Sequence, residues 1–375
     1  MLHFVRVTSF AAVTAVALSG CAAPPQGETP YRPTADMLAV LTAQADLGAK
    51  PTEDLSVAQA RTNPSIADAV MRVEQRRGMS TAPMPTAVQD IQVQGGAGLL
   101  PARVYRPAAA ASGPLPVILY FHGGGWVIST IDTYDSSARA LANGAGAIVV
   151  SVEYRKGPED RFPSAHDDAN AAYVFMLQHA ETLGGDPTRI AVAGESAGGN
   201  LAFNVSLYAR DQKLPMPVHE LLVYPVASTD LTAPSVVENA RAKPLSRASL
   251  EWFIKYYGRG PADAMDTRLN LLSVSNLNGL PPTTIILAQI DPLRSGGESL
   301  GDRLKTAGVS TEVRLYPGMT HEFFGTGAVV QAGKAAEDFA SERLRESFAA
   351  VPAMPIQAMP AHRARPMRAH TMRGR

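Results

Sequence analysis

Arg189-Ile190-Ala191-Val192-Ala193-Gly194-Glu195-Ser196-Ala197-Gly198-Gly199-Asn200-Leu201-Ala202-Phe203-Asn204-Val205 joins a mostly apolar run, a Gly-x-Ser-x-Gly turn and a helix-like stretch without a gap. This order reads as strand, sharp turn, helix. Small residues at Gly194 and Gly198 let the backbone take a strained turn that lifts the Ser196 hydroxyl clear of a sheet, at the positive end of the following helix. A serine so placed is suited to attack carbonyl carbon. Five residues are a short pattern, so its meaning depends on partners elsewhere in the chain.

In open α/β sheets with such an elbow, the acid and then the histidine follow the serine. Of the eight histidines, His3 lies in a leader, His122, His166 and His179 precede Ser196, and His362 and His370 fall in a tail with no core pattern. His219 opens the strand-like run His219 to Tyr224, too soon after Ser196 for an acid-bearing strand to intervene. His321 fits, in Tyr316-Pro317-Gly318-Met319-Thr320-His321, a strand end followed by a Gly-containing loop. Thr283 to Ile290 is short, apolar and rich in β-branched residues, and it predicts a buried parallel strand. Asp291-Pro292-Leu293 follows at once, where open sheets carry their working groups. The rival acid, Asp302, falls in the helical stretch Glu298 to Ala307.

Upstream, Pro116-Val117-Ile118-Leu119-Tyr120-Phe121 reads as another buried strand and runs into His122-Gly123-Gly124-Gly125-Trp126. Acyl transfer needs donors for a developing oxyanion, and glycines let backbone N–H groups converge without obstruction. The expected donors are Gly123 and Gly124 with Ala197, the residue after the nucleophile. A phosphate cradle is the competing reading, but GxGxxG and GxxxxGK[ST] are both missing here. His321-Glu322-Phe323-Phe324-Gly325 falls short of the zinc motif HExxH, because Gly325 stands where the second ligand belongs.

These motifs resemble the hormone-sensitive-lipase-like family of α/β-hydrolases, which carries HGGG and G[DE]SAGG. The likeness extends through Val104-Tyr105-Arg106-Pro107, the block Val150 to Arg155 with Pro158-Glu159, Phe162-Pro163 and Asp167-Asp168-Ala169, then Leu222 to Pro225, Asp291 to Arg294, and Tyr316 to Phe323, over roughly residues 85 to 345. The resemblance implies a carboxylic ester hydrolase acting on short- or medium-chain esters through an acyl-enzyme. Ser196 would be nucleophile, His321 base and acid, and Asp291 the group orienting the imidazole. It implies no metal or organic cofactor. His122 would hold the oxyanion loop in shape. Tyr154, Arg155 and Glu159 are expected in a structural polar network. Glu195 is either a plain turn residue or a group that positions substrate or biases His321. The family often has acidic residues after Asp-Pro-Leu-Arg and glycine after the histidine, where this chain has Ser295-Gly296-Gly297 and Glu322. An amidase, a carbohydrate deacetylase or an acyltransferase would share the same site, and a non-catalytic binding protein could keep the fold.

The chain has 375 residues, 46% of them apolar, and no net charge. That suits one large core with a smaller appended layer. The last 25 residues contain arginines and no acids, so the remainder is acidic and is not a nucleic-acid binder. Residues 1–20 read as a signal peptide, with Arg6 followed by apolar Val7 to Leu18. Leu18-Ser19-Gly20-Cys21 resembles a bacterial lipobox, and Cys21 is the sole cysteine, leaving none for disulfides or thiolate sites. Lipidation of Cys21 would anchor the protein in the bacterial cell envelope, with residues 21–33 as a Pro-rich tether. Cleavage near Ala22-Ala23 would instead give a periplasmic or secreted protein. Oligomeric state stays open.

Thr34 to Gly48 and Ser65 to Arg77 carry helical apolar spacing within residues 34–80. The resemblance makes them part of a cap with the insert at 229–270. Its aromatic helix, Leu250 to Tyr257, presents Trp252, Phe253 and Tyr256 to either packing or substrate. Within residues 81–350, strands are expected near 88–93, 102–105, 117–121, 147–153, 189–194, 220–224, 283–289 and 311–315, alternating with helices after an antiparallel start. This predicts an α/β fold, a mostly parallel eight-stranded sheet with helices on both faces. Residues 351–375 lack a core pattern and are expected to be a disordered basic tail.

Overall fold

The computed structural model describes residues 30–109 and 113–352; the leader, Cys21 and the basic tail's residues from 353 lie outside the described residues. Eight strands form one sheet: β1 (Thr86–Gly95), β2 (Gly98–Pro107), β3 (Leu115–Phe121), β4 (Ile148–Val152), β5 (Gly185–Glu195), β6 (Glu220–Val223), β7 (Thr283–Ile290) and β8 (Thr311–Thr320). Their order is β1-β2-β4-β3-β5-β6-β7-β8. β2 runs antiparallel to both β1 and β4, and the remaining pairs are parallel. All eight expected strands are present. β8 runs on to Thr320 rather than stopping at Leu315, because a register shift between Ala288 and Ile290 lets Ile290 pair with Thr320 past Pro317-Gly318.

The apolar runs of β4 and β6 are buried at every residue because helices cover both faces. The helices are α1 (Ala35–Asp46), α2 (Val57–Ala60), α3 (Ile66–Arg76), α4 (Asp135–Ala145), α5 (Ser164–His179), α6 (Ala197–Asp211), α7 (Pro234–Glu238), α8 (Arg247–Tyr257), α9 (Arg294–Thr306) and α10 (Gln331–Ala350). One core joins the sheet to α5, α6 and α9 and continues into α8. The other joins it to α4 and α10 and continues into α1 and α3.

The N-terminal segment is fixed to the body by polar links. Thr34 donates its N–H to the Gly318 carbonyl, and Asp36 accepts from the N–H of Gln331. Ser65 caps α3 in a reciprocal box with Asp68. The Arg61 guanidinium donates to the carbonyls of Val127 (2.9 Å) and Gly157 (2.8 Å) and pairs with Glu159. Residues 229–270 leave β6, form α7 and α8, and return toward β7. At the start of α8, Ser246 and Ser249 donate to Glu53 of the N-terminal segment, joining the two pieces.

Candidate active site

Ser196, Asp291, His321 and His122 are each the first residue after a strand: β5, β7, β8 and β3 in turn. The parallel ladders therefore bring these four positions to one edge of the sheet. Ser196 takes φ 56 and ψ −117, a conformation costing on the order of 1–3 kcal/mol outside glycine. The fold holds it there through its N–H to the Val223 carbonyl (2.9 Å) and its carbonyl to the N–H of Val226 (3.1 Å). A Cβ at Gly194 would stand 2.1 Å from the Gly198 carbonyl oxygen, and one at Gly198 would stand 2.0 Å from that of Phe121. Both glycines are thus demanded by close backbone approach.

Ser196 Oγ lies 3.0 Å from His321 Nε2, and His321 Nδ1 lies 2.7 Å from Asp291 Oδ2. The other Asp291 oxygen accepts from the N–H of Leu293 at 2.8 Å. All three side chains are buried. Burial opposes a charge on His321, but the Asp291 carboxylate, with help from Glu322 and Glu195, prevails and raises the imidazole pKa. Asp302 is exposed on α9. His219 is occupied with Thr284 and Ser347, and His166 with Tyr257 and Asn200.

The glycine loop after β3 abuts the elbow, since the obstructing atoms at Gly198 are the carbonyls of Phe121 and His122. Gly124 has φ +96, and its carbonyl accepts from the N–H groups of Val127 and Ile128, which turns the loop. Gly124 lines the cleft beside Ser196 and His321. The Ala197 N–H opens α6 and has no acceptor within the helix. His122 Nδ1 lies 2.8 Å from the Gly123 carbonyl, and its ring stacks on Tyr154 at 4.4 Å. The Tyr154 hydroxyl donates to the carbonyls of His122 (2.9 Å) and Gly123 (3.1 Å). Instead of one network, Tyr154 braces this loop, Arg155 pairs with Asp168, and Glu159 pairs with Arg61.

Glu195 is neither an exposed turn residue nor a wall of the cleft. It is fully buried and accepts from the hydroxyls of Tyr120 (2.5 Å) and Tyr224. Burial pushes its carboxyl up to about 7, against those hydrogen bonds. Tyr224 in turn places its ring 4.5 Å from that of His321. Glu322 adopts φ +66 and accepts from the Tyr134 hydroxyl at 2.7 Å. No local sequence pattern marks Tyr120, Tyr134 or Arg61 as part of the site. Tyr224 lies within the family-like motif Leu222-Val223-Tyr224-Pro225.

A cleft of about 730 Å³ opens above Ser196 between the N-terminal segment and the insert. Leu41 and Pro51 wall one side, Leu250, Phe253 and Ile254 of α8 another. Phe253 lies directly over the glycine loop, where a Cβ on Gly125 would meet its ring at 2.2 Å. Trp252 packs on the N-terminal segment instead, donating to the Leu55 carbonyl at 3.0 Å, and Tyr256 packs on Trp252. The aromatic helix is therefore divided between cleft and packing.

The family described as alpha/beta hydrolase fold matches residues 118–325. The carboxylesterase NlhH of Mycobacterium tuberculosis is 44% identical over 236 residues, covering 62% of this chain and 74% of that protein. The esterase LipI of the same organism is 39% identical over 274 residues, 72% of this chain and 85% of its own length. Among solved structures, the ester hydrolase EH1AB1 from the metagenome of Lake Arreo, complexed with a derivative of bipyridine phosphonate, is 35% identical. It superposes with a TM-score of 0.76 over 84% of this chain and 99% of that one.

Proposed function

Because this chain belongs to the α/β-hydrolase fold family and is a carboxylic ester hydrolase, we propose that Ser196, His321 and Asp291 carry its reaction. The observation behind the assignment is the unbroken relay from Ser196 Oγ through His321 to Asp291 at 3.0 and 2.7 Å. Ser196 Oγ attacks the acyl carbon while His321 Nε2 takes its proton. The developing oxyanion is met by the N–H groups of Gly123, Gly124 and Ala197. His321 returns the proton to the alcohol, which leaves an acyl-serine. Water, deprotonated by the same nitrogen, then releases the acid and restores Ser196. Asp291 keeps the imidazole in the tautomer that presents Nε2 to the serine.

The substrate reading is a short- or medium-chain acyl ester, supported by the largely apolar walls of a cleft of about 730 Å³. A series of p-nitrophenyl esters should peak between butyrate and octanoate and fall at palmitate. Ser196→Ala should lose at least about 10⁴-fold in kcat; residual turnover near the parent's would sink the assignment. Preferential turnover of an anilide or an acetylated sugar would redirect the substrate class. The reading also places the enzyme in the bacterial cell envelope, lipid-anchored through Cys21, supported by the lipobox-like Leu18-Ser19-Gly20-Cys21. Radiolabelled palmitate should enter the full chain and not its Cys21→Ala variant, and equal labelling of both would exclude this anchor.

A further inference from the structure

We propose that Glu322 is a positioning residue, clamping the loop that carries His321 to the oxyanion loop through the hydroxyl of Tyr134. The proposal rests on the assignment of Ser196 and His321 above. Glu322 has φ +66, a left-handed backbone that is strained for a non-glycine residue. Glycine would sit there without strain. What the glutamate gains is a carboxylate aimed at Tyr134, whose hydroxyl donates to Oε1 at 2.7 Å. Hydrogen bonds to a charged acceptor are the strong ones.

Tyr134 comes 188 residues earlier, in the short turn leading into α4. Its hydroxyl rests directly on Gly123: a Cβ there would lie 2.2 Å from the oxygen and 2.9 Å from Cζ. The link therefore runs from His321 to its neighbour Glu322, through Tyr134, to the backbone of a proposed oxyanion donor. Burial first, then the charge of Glu322, pushes the Tyr134 hydroxyl well above its ordinary pKa, which keeps it a donor. Glu322 also lines the cleft. The charged or titratable groups acting on His321 are Asp291, Glu322 and Glu195, and Tyr224 packs against its ring. Those coupled to Glu322 include Tyr134, Tyr224, Glu195 and His321. Its negative charge thus favours the imidazolium formed during acyl transfer, while its hydrogen bond fixes the donor loop.

The test compares Glu322→Gly, Tyr134→Phe, their double variant and Glu322→Gln in the full chain, with Ser196→Ala alongside. Glu322→Gly and Tyr134→Phe should each lower kcat about tenfold or more with KM little changed, as misplaced groups do. The double variant should fall no further than the worse single, because both cut one link. Glu322→Gln keeps an accepting oxygen and loses the charge. It should retain kcat within about threefold, while the acidic limb of its kcat/KM profile moves to lower pH. Parent-like kcat in both Glu322→Gly and Tyr134→Phe, or an unmoved acidic limb in Glu322→Gln, would overturn the proposal. If Tyr134→Phe does not fold, the two Glu322 variants decide the question. Activity surviving in Ser196→Ala would instead overturn the underlying assignment, so the two failures are distinct.

Discussion

At the carboxyl edge of the sheet, Ser196, Asp291, His321 and His122 are fixed by the ends of four strands. The cleft walls above them come from residues 34–80 and 229–270 and are held by side-chain links such as Arg61 to Val127 and Ser246 to Glu53. Strand ladders set the floor, where a small displacement misaligns proton transfer. Apolar packing of α1, α3 and α8 together with these polar contacts sets the walls, without a strand ladder beneath them. The candidate site thus rests on backbone ladders, the kind of framework that holds reacting groups to close tolerance.

The strongest way to break the floor without moving it is Asp291→Asn, which retains the shape but favours the wrong imidazole tautomer. It should lower kcat about 10⁴-fold; stopped-flow or steady-state kinetics on an acetate ester showing less than a tenfold loss would point to another acid. The walls should respond differently. Arg61→Ala removes charged donors from two backbone carbonyls and should cost about 2 kcal/mol of stability, read by urea unfolding. Its kcat on a small acetate ester should stay close to the parent's, while KM for longer acyl chains rises. A large kcat loss on acetate would show that walls and floor are not separable.

The smallest expected effect concerns buried titratable groups outside the cleft. Burial raises the carboxyl pKa of Glu195 and Glu337 to about 7 and that of Glu220 to about 8. Each is higher in the folded than in the unfolded chain. The stability tied to these protons is full below the ordinary glutamate pKa of 4.5 and is lost as pH rises through about 7 to 8. Buried His166 and His219, lowered to about 4, act in the opposite sense on the acid side: their contribution falls as pH drops from 6.5 toward 4. The thermal midpoint should therefore decline between about pH 6 and pH 8 and level off above. Glu220→Gln, at the start of β6, should flatten that decline without altering kcat. A parallel decline in the variant would remove Glu220 as its source.

Floor and walls also differed in how far they could be read from sequence. Ser196 and Asp291 follow strands recognisable by local apolar runs, His321 follows a strand end with a Gly-containing turn, and the serine-acid-histidine order points to the roles proposed for them. The eight strands and their mostly parallel sheet were legible for the same reason. The end of β8 was not, because Pro317-Gly318 signals a break while a long-range register shift restores pairing at Thr320. Glu195 looked like a turn residue because its burial depends on Tyr120 and Tyr224, 75 residues before and 29 after. The Tyr134 to Glu322 link spans 188 residues and belongs to no local pattern. Phe253 and Trp252 are neighbours on one helix, and only the placement of the N-terminal segment sends one to the cleft and the other to Leu55.

β6 and β7 lie side by side in the sheet, with Val223 paired to Ile286, although the 229–270 insert separates them in the chain. The excursion therefore leaves and re-enters the body at neighbouring points. Between those points it is tied back to the loop after β7, where Ser235 donates to the Pro292 carbonyl at 2.7 Å and Asn239 to that of Asp291. A segment grafted here from a relative would have to preserve Ser235 and Asn239 along with the two strand ends, which makes the unit of exchange larger than the loop alone.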